Sequence, residues 1–185
     1  MTQELRGHRV GILAADGVER IELEQPRGAL HGAGATTEII SLRPGEIQAR
    51  QFDMEPAGTF PVDRVVADVS ADDYDALLMP GGTVNPDQLR MNADAVSFVK
   101  EFADTGKPIG VICHGPWTLA EADVIAGVRI TSWPSIRTDL RRAGASVVDE
   151  AVVIDRQFVS SRSPDDLPAF CNAIVAQFAK AKHLS

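Results

Sequence analysis

Cysteine is nearly missing from this sequence, and so is any excess of positive charge. Only 2 cysteines occur in 185 residues, too few for the disulfide framework of a small secreted domain, and a reducing compartment would leave both as thiols. Lys and Arg number 18 against 26 Asp and Glu, a net charge of −8, with no basic run on any segment. That balance argues against DNA, RNA or an anionic membrane as the main partner. No apolar run approaches the ~20 residues that span a bilayer. The N-terminal stretch carries Glu4, Arg6, His8 and Arg9 and lacks the apolar core of a signal peptide, so the expected location is the cytoplasm. Cys and His do not cluster at zinc spacing and no phosphate-cradling glycine loop occurs, so neither a metal nor a nucleotide cofactor is indicated. There is no internal repeat and no low-complexity tract.

What is present is ample core material, 44% hydrophobic residues, and a length that suits one domain over residues 1–185. Residues 8–15 form an apolar run ending at Asp16-Gly17, a buried strand and its turn. Val18, Ile21, Ala29, Leu30 and Ala33 recur at helical spacing, with Pro26 expected to kink the helix and Gly34 to close it. Thr36 to Leu42 is a second strand. From Arg43 to Val69, Pro44, Gly45, Pro56, Gly58 and Pro61 punctuate short extended pieces, a hairpin excursion rather than a second domain. Strands follow at 75–80 and 109–112. Helical turns lie at 85–89, and helices at 93–105, 117–126 and 135–143. Strands at 128–131, 145–148, 152–154 and 158–161 complete the sheet elements, and Ser163 caps a last helix with Pro164 at its first position. In that helix Leu167, Phe170, Cys171, Ile174, Val175 and Phe178 repeat at three-to-four spacing, so Cys171 reads as core packing. The alternation of strands and helices predicts an α/β fold with a mainly parallel sheet and helices on both faces.

In such sheets a site lies outside the carboxyl ends of the strands, where strand order reverses. Three segments reach that edge: Asp16 to Glu19, Gly81-Gly82, and Cys113-His114. Gly110 to Pro116 reads as a nucleophile on a strand-to-helix turn, with backbone N–H groups aimed at the thiol. Read as packing, Cys113 is a small core hydrophobe. Gly81-Gly82 is either an ordinary turn or bare backbone offering N–H donors to an oxyanion. His114 is a base only if the turn swings its side chain to the side of Cys113, and otherwise caps local backbone. Glu22 and Asp87 are the nearest carboxylates to orient it, although by residue type both read as solvated.

Energetics bear on Glu19. Making Cys113 mostly thiolate at neutral pH takes about 3 kcal/mol. A helix N-terminus supplies about 0.3–1 and at most ~2 kcal/mol. An ionised Glu19 would oppose the thiolate, whereas a protonated Glu19 could donate a hydrogen bond worth about 1.5–3 kcal/mol, the pair then sharing one proton. Glu19 also has a purely structural reading, as the third-position partner of Asp16 in a capping box.

Glu19-Arg20-Ile21-Glu22-Leu23, Leu78-Met79-Pro80-Gly81-Gly82, Ile112-Cys113-His114-Gly115-Pro116, Thr131-Ser132-Trp133 and Ser160-Ser161-Arg162-Ser163-Pro164-Asp165-Asp166-Leu167 together resemble the PfpI family of the ThiJ/PfpI superfamily. The resemblance implies a three-layer α-β-α sandwich, flavodoxin-like and akin to class I glutamine amidotransferases. It implies Cys113 as nucleophile, Glu19 as its hydrogen-bonding acid and His114 as base or proton shuttle. It also implies a homodimer or larger homo-oligomer, in which an acidic residue after the Gly-Gly turn reaches His114 from a neighbouring subunit. Here that residue is Asp87, in a loop one residue longer than usual and with Asp in place of Glu. Gly81, Gly82 and His114 main-chain N–H groups would hold an oxyanion. Members of the family are described as intracellular peptidases or amidases, as glyoxalase- or deglycase-like enzymes acting on methylglyoxal and its adducts, and as stress proteins. The reading carried forward is a cysteine-dependent enzyme acting on reactive carbonyls or their adducts. The alternatives are a cysteine peptidase or amidase, and, in another class, a redox-sensing or chaperone-like stress protein with an oxidisable Cys113.

Overall fold

A computed structural model describes residues 3–181. In chain order its elements are β1 (Arg9–Leu13), β2 (Val18–Glu19), α1 (Arg20–Gly32), β3 (Thr36–Ser41), β4 (Glu46–Gln51), β5 (Glu55–Pro61), β6 (Arg64–Val65), β7 (Ala76–Met79) and α2 (Val84–Arg90). They continue with α3 (Ala93–Asp104), β8 (Ile109–Ile112), α4 (Pro116–Glu121), β9 (Arg129–Ile130), α5 (Arg137–Arg142), β10 (Ser146–Val147), β11 (Val152–Asp155), β12 (Phe158–Ser161) and α6 (Leu167–Phe178). The central sheet runs β11-β12-β8-β7-β1-β3-β6 and is parallel except for the β11–β12 pair. Its inner five strands follow the doubly wound order in which the sheet reverses direction of growth between β1 and β7. No helix among the described residues is long and apolar enough to cross a membrane.

Both faces of the sheet are covered, so its strands are apolar on both sides. On β7, Ala76 and Leu78 face the core built with α1 and α6, while Leu77 and Met79 face the core under α3, α4 and α5. Ile109 and Val111 of β8 join the second of these cores and Ile112 the first, the period-2 alternation of a strand. Burial of large side chains such as Phe102, Phe170 and Phe178, each worth roughly 1.5–3 kcal/mol, holds the three layers together. β4 and β5 pair antiparallel as the expected hairpin, and β4 also pairs with β2, which ties the hairpin to the start of α1.

Several local expectations change. Asp16 caps nothing: its Oδ1 accepts the Gln48 N–H and its Oδ2 pairs with Arg43, so the capping box with Glu19 is not formed. The helix expected to run to Ala126 ends at Glu121. Asp123 takes a left-handed φ of 57°, and the N–H groups of Asp123 and Val124 close back on Ala120 and Leu119, a terminating turn that Asp tolerates. Strands β9 and β10 pair with each other outside the main sheet. Ser163 makes no side-chain cap; a short 3₁₀ turn over Pro164–Asp166 precedes α6 instead, and Asp166 accepts from Arg162. Cys171 is half-buried at the edge of its helix, outside both cores.

One side chain fixes the carboxyl edge of the sheet. Asn85 is fully buried; its Oδ1 accepts the Ala15 N–H at 2.7 Å, and its Nδ2 donates to Pro80 O and Gly81 O, each at 3.0 Å. The turn after β1 is thereby pinned to the turn after β7. Asn85→Ala would strand the Ala15 N–H and the Pro80 carbonyl, Gly81 O keeping the Glu19 N–H, and is expected to cost about 2–4 kcal/mol of unfolding free energy in denaturant titrations, with Asn85→Asp at least as damaging because a carboxylate would face two carbonyls.

Candidate functional site

β8 ends at Ile112, and Cys113 adopts φ 62°, the left-handed region that a Cβ-bearing residue rarely occupies. Its backbone is held on both sides, the N–H by Ser161 O at 3.1 Å and the carbonyl by Trp133 N–H at 3.0 Å. The strained turn lifts the side chain above the sheet edge, where the backbone N–H groups of Gly82 and His114 point at the sulfur. α4, which follows, is only 6 residues long, so these two individual donors rather than a long helix dipole supply the local field.

The carboxyl at the thiol is Glu22. It is fully buried, its Oε2 accepts the Gly81 N–H at 2.9 Å, and its side chain interacts with Cys113. Oε1 is buried without a hydrogen-bond partner among the described residues. Burial is the main cause that raises the Glu22 pKa to about 8; the Cys113 and Gly81 contacts act in the opposite direction. Burial and the neighbouring Glu22 charge push the thiol up, while the Gly82 and His114 N–H groups pull it down. Both groups are therefore held in their protonated forms through neutral pH, and the loss of either proton bears on the other. The close approach demands glycine at position 81, because a Cβ there would lie 2.5 Å from Glu22 Oε2 and 2.6 Å from Cys113 Cβ.

These contacts revise two of the sequence assignments. Glu19 does not meet the sulfur: its carboxylate accepts the N–H groups of Phe52 at 3.1 Å and Asp53 at 3.2 Å, at the tip of the β4–β5 hairpin. Three residues along, on the first turn of α1, Glu22 occupies the place expected of it. Gly81 is not a free oxyanion donor, since its N–H is spent on Glu22, and the donors left near the sulfur are Gly82 and His114.

His114 does swing to the side of Cys113, with Nδ1 3.2 Å from the sulfur. Its ring lies between Trp117 and Trp133, at centroid separations of 5.4 and 5.9 Å, the latter stacked. On the far side, Nε2 is 3.5 Å from Thr83 Oγ1 and 3.4 Å from Ser135 Oγ. Burial lowers the His114 pKa and the charge of Asp53 opposes that shift, so the ring is neutral at pH 7. Asp87 lies on the exposed side of α2 and does not line the cavity of its own chain. That cavity, about 90 Å³, is bounded by Glu22, Asp53, Gly82, Cys113, His114 and Trp133, with Phe52 and Pro164 at its mouth. Asp53 and Thr83 carry no motif signal of their own and come to the site only through the folding of the hairpin and the Gly-Gly turn.

The DJ-1/PfpI family model matches residues 8–177. The chain belongs to this family. Among its DJ-1/PfpI relatives, a deglycase from Pyrococcus abyssi is 40% identical over 167 residues, which is 90% of this chain and 97% of that one. Two Bacillus subtilis proteins are each 39% identical. General stress protein 18 matches over 94% of this chain and 99% of its own length, and YraA, whose name places it provisionally among cysteine proteases, over 88% and 93%. A crystal structure from Anabaena variabilis with DJ-1/ThiJ/PfpI-like and ferritin-like domains superposes with a TM-score of 0.86 at 33% identity, covering 92% of this chain and 48% of that chain.

The buried carboxyl gives a test by pH. A folded pKa raised above the unfolded one means that stability present at low pH is lost as pH rises through about 8. Wild type is expected to lose a few kcal/mol between pH 5 and pH 8.5 that Glu22→Gln does not lose. The midpoint of Cys113 alkylation should move downward in Glu22→Gln, because both the charge of Glu22 and its hydrogen bond raise the thiol. Equal alkylation profiles would remove Glu22 from the thiol.

Proposed function

We propose that this protein is a cysteine-dependent enzyme that acts on small reactive carbonyls or their adducts, with Cys113 as nucleophile. The observation that carries the reading is the Cys113 sulfur at the floor of an about 90 Å³ cavity, with the fully buried Glu22 carboxyl on one side and an imidazole nitrogen 3.2 Å away on the other. A space of that size suits a three-carbon dicarbonyl better than a peptide. The deglycase name of a relative 40% identical over nearly its whole length supports the same choice.

In this reading His114 Nδ1 takes the thiol proton as Sγ bonds to the aldehyde carbon. The carbonyl π pair moves to oxygen, which draws on the N–H groups of Gly82 and His114 and receives a proton from Glu22 or the imidazolium. Thiol and aldehyde together thus give a hemithioacetal with nothing gained or lost. For a 2-oxoaldehyde, His114 then carries a proton from that carbon to its neighbour, leaving a thioester and a hydroxyl group. Water releases a 2-hydroxy acid and restores the thiol.

A second reading uses the same donors. Gly82 N–H, His114 N–H and the Glu22 proton surround the sulfur and would equally hold a sulfinate, and general stress protein 18 is among the relatives.

Purified protein assayed with methylglyoxal and with a fluorogenic peptide separates these readings, with mass spectrometry after mild peroxide alongside. Turnover of methylglyoxal that falls by at least about 10³-fold in Cys113→Ala is the expected outcome. Peptide cleavage alone would favour the peptidase alternative. No turnover of either, with stoichiometric sulfinic acid at Cys113, would replace the enzyme with the sensor.

A further inference from the structure

For Nδ1 of a neutral His114 to accept the thiol proton, the ring's own proton must sit on Nε2. Two hydroxyls lie within reach of Nε2, and one of them has its proton committed. Thr83 Oγ1 donates to Asp53 Oδ2 at 2.9 Å, while Asp53 Oδ1 accepts the Thr83 backbone N–H at 2.7 Å. A hydroxyl that has given away its single proton can only accept. Toward His114 the Thr83 oxygen is therefore an acceptor, 3.5 Å from Nε2, and it selects the Nε2–H tautomer. The separation is long, as such contacts are before a substrate fills the site.

The position of Asp53 is itself built. Phe52 and Asp53 both take left-handed φ, 52° and 62°, without being glycines. Two such residues in succession are unfavourable, and what holds them is Glu19, whose two carboxylate oxygens each accept one of their N–H groups. A line of hydrogen bonds thus leads from the start of α1 through the hairpin tip and the Gly-Gly turn to the imidazole. The ionisable groups around His114 are Cys113 beside it, Glu22 beyond the sulfur, and Asp53 with Glu19 on the hairpin side; Ser135 and the two tryptophans complete its surroundings.

We infer that Asp53, acting through Thr83 Oγ1, is the carboxylate that orients His114, and that Glu19 positions the hairpin tip that carries it. The Cys113–His114 pair then has its acid partner in its own chain, rather than in Asp87 of a neighbouring copy. The inference rests on the reading of Cys113 and His114 as the reacting pair, and Asp53, Thr83 and Glu19 are positioning residues within it. As the imidazole takes up the thiol proton, the fixed negative charge of Asp53 stabilises the cation through the threonine hydroxyl.

The full-length protein labelled with ¹⁵N-histidine tests this without any substrate, the His114 signals being assigned by their loss in His114→Gln. Wild type should show Nε2 protonated and Nδ1 bare. In Asp53→Asn the new amide donates to Thr83 Oγ1, the hydroxyl proton turns toward Nε2, and His114 should shift toward the Nδ1–H tautomer. Cys113 alkylation at pH 7 should fall by about tenfold or more. Thr83→Val should lose the alkylation rate in the same way, and Thr83→Ser should restore it, which keeps the test decisive if Asp53→Asn disturbs the hairpin. An unchanged tautomer and rate in both Asp53→Asn and Thr83→Val would overturn the inference, as would a tautomer shift in Asp87→Asn that Asp53→Asn lacks. Absence of methylglyoxal turnover in wild type would remove the carbonyl substrate and leave the tautomer result untouched.

Discussion

A carboxyl group buried with its proton, that of Glu22, is the constraint around which the carboxyl edge of this sheet is arranged. A charge at that position would be very costly, and a neutral acid left without hydrogen bonds still costs roughly 2–7 kcal/mol. The fold answers with one backbone donor, Gly81 N–H, and one sulfur. The first answer brings the turn after β7 against the first turn of α1, which forbids a side chain at position 81. The second brings the end of β8 against both, at the cost of a left-handed cysteine. Asn85 then locks the β1 and β7 turns from below. Three strand ends meet around one buried carboxyl.

Much of this was legible in the chain itself. The alternation of apolar runs and helices, β8 to the residue, the hairpin excursion and Cys113 as the thiol of interest all follow from pattern and turn chemistry, and membership of the DJ-1/PfpI family agrees with the motifs. The acid was displaced by one helical turn because Glu22 reads by residue type as a solvated charge, whereas it lies on the buried face of α1. Val18, Ile21, Ala29, Leu30 and Ala33 mark the apolar stripe, and Glu22 is not among them. In the folded chain Ile21 is 37% exposed, and Leu23, Pro26 and Leu30 turn inward together with Glu22. A buried carboxylic acid breaks the rule that charge marks the wet face, and periodicity cannot foresee it. Asp53 was out of reach for another reason. Its turn could be foreseen, but the direction in which a hairpin tip points is decided by Glu19, which lies 34 residues earlier.

The sulfur sits between two proton-handling arms of different character. On one side, Glu22 is dry, enclosed and coupled to the thiol itself; on the other, His114 is packed between tryptophans, with hydroxyls and a partly exposed carboxylate beyond it. In the proposed reading the first arm sets how much thiolate exists and the second when a proton leaves. Different names among relatives are compatible with one such arrangement, because an aldehyde carbon and a peroxide oxygen are both small electrophiles that, in the proposed readings, would meet the same sulfur through the same narrow mouth.

Phe52 and Asp53, Glu19 and Glu22, Gly81 to Thr83, Cys113 and His114, and Trp133 come from five separate stretches of the chain, and no two neighbouring stretches suffice to make the site. Its contact order is accordingly high. A chain emerging from synthesis, or one opened locally at the hairpin, carries an ordinary cysteine with ordinary chemistry. The unusual thiol is a property that arrives only with the last long-range contact, so its reactivity reports completion of the fold as faithfully as any spectroscopic signal.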